Sequence, residues 1–221
     1  MCRQRRHAQH AELEVEMGYK NVKKTAILLG LVSVIGLCGC DSKEQKMAQK
    51  DTEVIAEKVM QEEAGENIYS EVITSLKEGE YYTCIRIAGY DQPILFVTDG
   101  SYTYNDVEAA IWCDVYYIWD GTVMNLGKIS SSGTAYPISY DDKGIYTSGG
   151  HYVIRYVIDC EAKKLVAAEY ANETFDSDAN VTYVYFDLED GERVVEDGSY
   201  LDAMFEALSD AKVVNFKCVS E

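Results

Sequence analysis

From Tyr81 onward the chain falls into short runs rich in Val, Ile, Tyr, Phe and Thr, separated by turn-forming pairs. The runs are Tyr81–Ala88, Ile94–Thr98, Glu108–Trp119, Val123–Ile129, Tyr152–Ile158, Leu165–Phe175 and Val181–Leu188. The punctuation is Asp99-Gly100, Asp120-Gly121, Asp190-Gly191 and the turn Asp142-Lys143-Gly144. Asp-Gly favours a tight hairpin because both central residues of a type I′ turn need a positive φ. Near-regular short strands joined this way predict an antiparallel meander, folded as a sandwich, an open barrel or a few propeller-like blades. No fixed-period repeat accompanies them, which weighs against a full propeller.

Two amphipathic segments bracket the β-rich region. Ile68, Tyr69, Val72, Ile73 and Leu76 share one helical face, with Asn67 placed to cap it and Gly79 to stop it. Near the end, Leu201, Met204, Phe205 and Leu208 recur at helical spacing after Ser199, a candidate cap. A last strand follows, in which Val214, Phe216 and Cys218 alternate with Asn215 and Lys217. The expected fold is therefore mainly β, of the α+β class, with a helix near each end of one domain over residues 67–221.

The N-terminal region carries a different kind of signal. Met17–Lys24 holds Lys20, Lys23 and Lys24, and residues 25–37 run without a charge. A basic start followed by a short apolar stretch is how secretory signals begin. The apolar stretch is shorter than the roughly 20 residues a spanning helix needs. It ends in Leu37-Cys38-Gly39-Cys40. This resembles the lipobox of bacterial lipoproteins, with Cys38 at the loosest motif position. The resemblance implies cleavage before Cys40, a diacylglycerol on its sulfur, and a chain held by that lipid at the extracytoplasmic face of the cell membrane. Residues 1–39 are then leader and signal peptide, and residues 40–66 the lipidated start and a polar tether. Glu12, Glu14 and Glu16 sit where export signals avoid acids. Met17 is accordingly the expected start of translation, with a genuinely long leader as the alternative. Residues 131–146 resemble in general style exported lipoproteins of gut Firmicutes, a likeness that carries no functional residues.

Charge narrows the partners. Of 38 acidic and 20 basic residues, three acids and six bases lie in residues 1–39, leaving a net charge of −21 on the remainder. Such a surface repels phosphate backbones, so no nucleic-acid partner is expected. Anionic headgroups are repelled likewise, so the membrane contact is expected through the lipid on Cys40 alone. The seven cysteines reduce to Cys84, Cys113, Cys160 and Cys218 once Cys2, Cys38 and Cys40 are set aside. Four cysteines permit two disulfides in three pairings. Their apolar surroundings favour buried thiols instead.

Candidate chemistry is sparse. After residue 40 there is one histidine, His151, preceded by Ser148-Gly149-Gly150. That leaves one possible His-dependent centre, for which a Ser132–His151 pair oriented by Asp159 or Asp141 can be drawn, without a nucleophile-elbow motif. A turn histidine hydrogen-bonded to its surroundings is the plainer expectation. Asp176, Asp178 and Asn180 place oxygen ligands at alternate positions, with Asp187 where a calcium loop has its last carboxylate. Val181 occupies the position that needs glycine, so a polar hairpin is expected there and no metal. Asp99, Asp106 and Glu108 form a looser acidic group. Among 18 tyrosines, Tyr136, Tyr140 and Tyr146 join His151 as candidates for a binding face.

The function expected is a non-catalytic binding or assembly module with a protein or glycan partner and no cofactor. A small exported hydrolase centred on His151 is the rival, and a structural envelope component the third reading.

Overall fold

The computed structural model describes residues 65–219. The expected leader, Cys40 and the tether as far as residue 64 lie outside them. Among the described residues no helix is long and apolar enough to cross a membrane.

The architecture is a sandwich of two antiparallel sheets with a helix on each outer face. Residues 65–68 are helical, the backbone breaks at Tyr69, and helix α1 follows as Ser70–Ser75. Then come β1 (Tyr81–Ile85), β2 (Ile94–Thr98), the hairpin β3 (Tyr102–Tyr104) and β4 (Val107–Ala109), β5 (Trp112–Trp119) and β6 (Thr122–Ser130). A second run holds β7 (Ser139–Asp141), β8 (Gly144–Gly149), β9 (Tyr152–Asp159), β10 (Lys164–Phe175), β11 (Val181–Asp187) and β12 (Gly191–Val195). Helix α2 (Ser199–Asp210) and the short strands β13 (Lys212–Val213) and β14 (Lys217–Cys218) complete the order.

The smaller sheet has the order β14-β1-β2-β5-β6 and the larger β12-β11-β10-β9-β8-β7-β13. The larger sheet is a meander from β7 to β12, the arrangement that short connections favour. Helix α2 then carries the chain back across it, so that β13 pairs with β7 and β14 with β1. The C-terminal segment thus joins the two sheets along one side.

Side-chain alternation explains the layering. In β2 all five residues are buried. Ile94 and Phe96 enter the core between the sheets, while Leu95 and Val97 face the helical layer with Tyr69, Val72 and Ile73. Tyr69 is fully buried and its hydroxyl donates to the Pro93 carbonyl at 2.5 Å. The inter-sheet core unites Phe96, Val115 and Ile129 with Ile138, Ile145, Ile158, Val214 and Phe216. On the far face of the larger sheet, Leu201 and Met204 of α2 pack on Tyr146, Val153, Ala171 and Tyr185.

Several local expectations change. Asn67 lies inside a helical turn, and α1 is preceded by Tyr69 with no side-chain cap. Ser199 is the first residue of α2; Asp197 accepts its backbone N–H at 3.0 Å. Asp99-Gly100 does not close a hairpin, because β2 pairs with β1 and β5 and not with β3. The tight turn in this stretch is Asn105-Asp106, both at positive φ. Asp120-Gly121 is the hairpin turn expected, with φ of 50° and 76°. The expected run Glu108–Trp119 is two strands, β4 and β5. Strands β7 and β8 arise where the sequence suggests loop, since Gly144, Thr147, Ser148 and Gly149 offer no hydrophobic alternation. A Cβ on Gly144 would lie 2.3 Å from the Tyr156 carbonyl oxygen, so this central strand needs its glycine.

Candidate functional site

The two sheets do not cover each other fully. Edge strand β6 of the smaller sheet lies against β8 and β10 of the larger, and β11 and β12 continue beyond. The cross-strand register then defines two rows on the same face of the larger sheet. One row is Ile154, Tyr170, Phe186 and Glu192; the other is Tyr152, Asn172, Val184 and Val194. None of these eight side chains belongs to any of the three packed cores. Tyr170 and Phe186 stack at 5.0 Å between ring centroids with planes 10° apart. Val194, on the edge strand, is 72% exposed. A shallow cavity of about 360 Å³ opens at Tyr152, Ile154, Tyr170 and Asn172.

Polar groups frame this face. The Ser132 hydroxyl lies 2.9 Å from the Tyr152 hydroxyl, and the Tyr170 hydroxyl donates to Glu192. The Glu192 carboxylate, acting through that hydrogen bond, raises the Tyr170 pKa. Nearby, the loop after β6 is tied to β8 by Ser132 N–H to the Ser148 carbonyl at 2.8 Å. The Ser148 N–H donates to Ser131 Oγ at 3.0 Å.

His151 forms part of the β8–β9 turn at the same end of the sheet. Its Nδ1 is 2.9 Å from Glu173 Oε1, and its ring meets Phe175 edge to face at 5.3 Å. The imidazole is 64% exposed. Its partner is Glu173, and Ser132 is paired with Tyr152. Asp159 closes the other end of β9, about 23 Å along an extended strand. Asp141 accepts the Lys143 and Gly144 N–H groups and the Tyr146 hydroxyl. Neither Asp159 nor Asp141 therefore orients His151, whose carboxylate partner is Glu173.

The three candidate tyrosines also separate. The Tyr136 hydroxyl lies close to Gly150, beside the His151 turn. Tyr146 is 1% exposed under α2, where burial and Asp141 push its hydroxyl pKa upward. Tyr140 is half-buried on β7, at the opposite seam of the sandwich. They do not form one face.

Comparison with family models, curated proteins and solved structures yields no match.

The acidic loop is the polar hairpin expected from its sequence. Asp176 Oδ1 accepts the N–H groups of Asp178 and Asn180, and Oδ2 accepts from Asn180 Nδ2, each at 2.9 Å. These bonds, the Asn180 amide first, lower the Asp176 pKa. Asp187 lies across β11, about 20 Å away, and serves the next turn through Glu189, Asp190 and Arg193. Glu108 accepts from Ser101, and Asp106 sits in the β3–β4 turn. Among the described residues no cluster of three His, Cys, Asp or Glu could hold a metal. No disulfide links Cys84, Cys113, Cys160 and Cys218 to one another. Cys113 is buried as expected, but Cys160 and Cys218 are exposed, in a turn and on the short β14.

Tyr152, Ile154, Tyr170, Val184 and Phe186 are side chains of this face that the sequence reading does not include among its candidates. Their signal lies in β11, where Tyr183 and Tyr185 alternate with Val184 and Phe186, so that both strand faces are apolar. Helix α2 accounts for only one of those faces.

Proposed function

We propose that this chain is a lipid-anchored extracytoplasmic binding module whose partner is a protein docking on the open face of the larger sheet. The anchor rests on Leu37–Cys40 after the charge-free segment. The partner surface rests on one observation: two register-aligned rows of apolar and aromatic side chains that no packed core uses. Contiguous apolar patches of this kind mark interaction sites on soluble domains. Tyrosine contributes large contact area with few rotatable bonds and a polar tip. The aliphatic Ile154, Val184 and Val194 favour a protein over a glycan, since sugars stack on rings and hydrogen-bond to polar groups.

The test is crosslinking and affinity capture from native membranes with the lipidated protein, comparing wild type with Ile154→Asp and Phe186→Asp. A specific protein should be captured by wild type and lost from both variants while their melting curves stay cooperative. Capture that survives both substitutions overturns the docking face. Loss of glycan binding in place of protein capture would reassign the face to a sugar. Separately, Cys40→Ser should release the protein from the membrane fraction; an unmodified Cys40 by mass spectrometry would overturn the anchor.

A further inference from the structure

A second cavity lies at the other seam, where the C-terminal segment passes from one sheet to the other. Strand β14 pairs only with Tyr81 and Tyr82, so β1 continues past its end. Strand β13 belongs to the larger sheet. Between them opens a cleft of about 450 Å³, within the size range of small-molecule sites. Its lining includes Thr83, Arg86, Tyr140, Lys212, Asn215 and Lys217.

The charge of that lining runs against the rest of the protein. The described residues contain ten Lys and Arg among 27 Asp and Glu. Three of the ten bases line this one cleft, and none of the acidic residues among the described ones does. Packing explains how they converge. Along the C-terminal segment Val214 and Phe216 are buried in the inter-sheet core, which turns Asn215 and Lys217 the other way. Arg86 directly follows β1, and Lys212 pairs with Tyr140 across β13 and β7.

We propose that this cleft binds a small anion through a phosphate or carboxylate group. Arg86 and Lys212 form no ion pair among the described residues, whereas Lys217 holds Glu66 at 2.8 Å. A guanidinium offers a planar fork that fits two oxyanion oxygens, and an ammonium adds a compact point charge. Asn215 Oδ1 already accepts the Glu108 N–H at 3.1 Å, which leaves its amide N–H groups as donors. Tyr140 also lines the cleft, and burial raises its hydroxyl pKa. The surrounding negative surface discourages anions elsewhere, so specific binding would concentrate here.

The experiment titrates the full chain with inorganic phosphate and, separately, malonate, by calorimetry at constant ionic strength, with sodium chloride as control. At least one probe should bind saturably, and the tighter one identifies the group recognised. The variant Arg86→Gln/Lys212→Gln should weaken that binding tenfold or more. Lys163→Gln/Lys164→Gln, the same charge change at the end of the β9–β10 turn and the first residue of β10, should leave it unchanged. Should the cleft variant fail to fold, Arg86→Lys keeps the charge but loses the fork and must weaken binding several-fold. No saturable signal with either probe, the same heat with chloride, or undiminished affinity in the cleft variants overturns the proposal. Protein capture on the opposite seam is a separate readout and should survive the cleft substitutions.

Discussion

Arg155 and Glu169 face each other across β9 and β10, and the guanidinium holds one carboxylate oxygen from Nε at 3.1 Å and Nη2 at 2.8 Å. The other oxygen accepts the Tyr185 hydroxyl at 2.5 Å. Both ionic side chains are partly shielded, at 20% and 26% exposure. The group couples three neighbouring strands beside α2, at the position where the β9–β10 register shifts.

Glu169→Gln should therefore destabilise the domain by about 1.5–3 kcal/mol, the usual worth of hydrogen bonds to a charged group. Urea melts of the two proteins check this. A loss under about 0.5 kcal/mol would mean that solvent screening cancels the interaction.

Phe96 and Leu95 serve different layers of the sandwich, so their truncations report on different interfaces. Phe96→Ala opens the inter-sheet core and should cost about 3–5 kcal/mol; Leu95→Ala weakens the helical layer and should cost about 2–5 kcal/mol. Hydrogen exchange should separate the two. Leu95→Ala should raise exchange chiefly in residues 65–76, and Phe96→Ala in both sheets. Identical exchange patterns would contradict the layering.

Alkaline pH should unfold the protein through its tyrosines. Burial raises the Tyr69 pKa, and burial with carboxylate neighbours raises those of Tyr146 and Tyr185, all well above the ordinary value of 10.0. A raised pKa means that the folded state binds the proton more tightly than the unfolded state. This stabilisation is complete below about pH 10 and is lost as pH rises from there toward the folded-state values. Tyrosinate absorbance should rise in one step with loss of the β circular dichroism signal. Gradual ionisation without unfolding would show these hydroxyls to be accessible.

Thiol labelling should divide the cysteines by their setting. Cys160 and Cys218 are exposed and should react with a thiol reagent in the native state. Cys113 is buried, which pushes its thiol pKa well up, and should react only on unfolding. Native labelling of Cys113 would show that the inter-sheet core opens locally.

Calcium should leave the melting temperature where magnesium leaves it at matched ionic strength, because Asp176 spends its oxygens on its own turn. A calcium-specific rise abolished by Asp178→Ala would reveal a site that the hairpin conceals. A true site at 100-fold excess over Kd would add about 2.7 kcal/mol, a readily measured shift.

The sequence by itself determined the fold class, the final helix and most strands, because period-2 and period-3.6 apolar patterns are local properties of a chain. Asp120-Gly121 announced its hairpin for the same reason: a positive-φ requirement is met by the two residues themselves. Tertiary structure alone decided the rest. Strand β8 is held by neighbours on every side and carries Gly144, Thr147, Ser148 and Gly149, so no local pattern marks it. The rows Ile154–Tyr170–Phe186 and Tyr152–Asn172–Val184 exist only once β9, β10 and β11 pair in register. Arg86 is remote in sequence from Lys212 and Lys217 and meets them because α2 returns the C-terminal segment to the far seam. Register and crossover bring together residues remote in sequence, and those contacts depend on the packing of the whole domain.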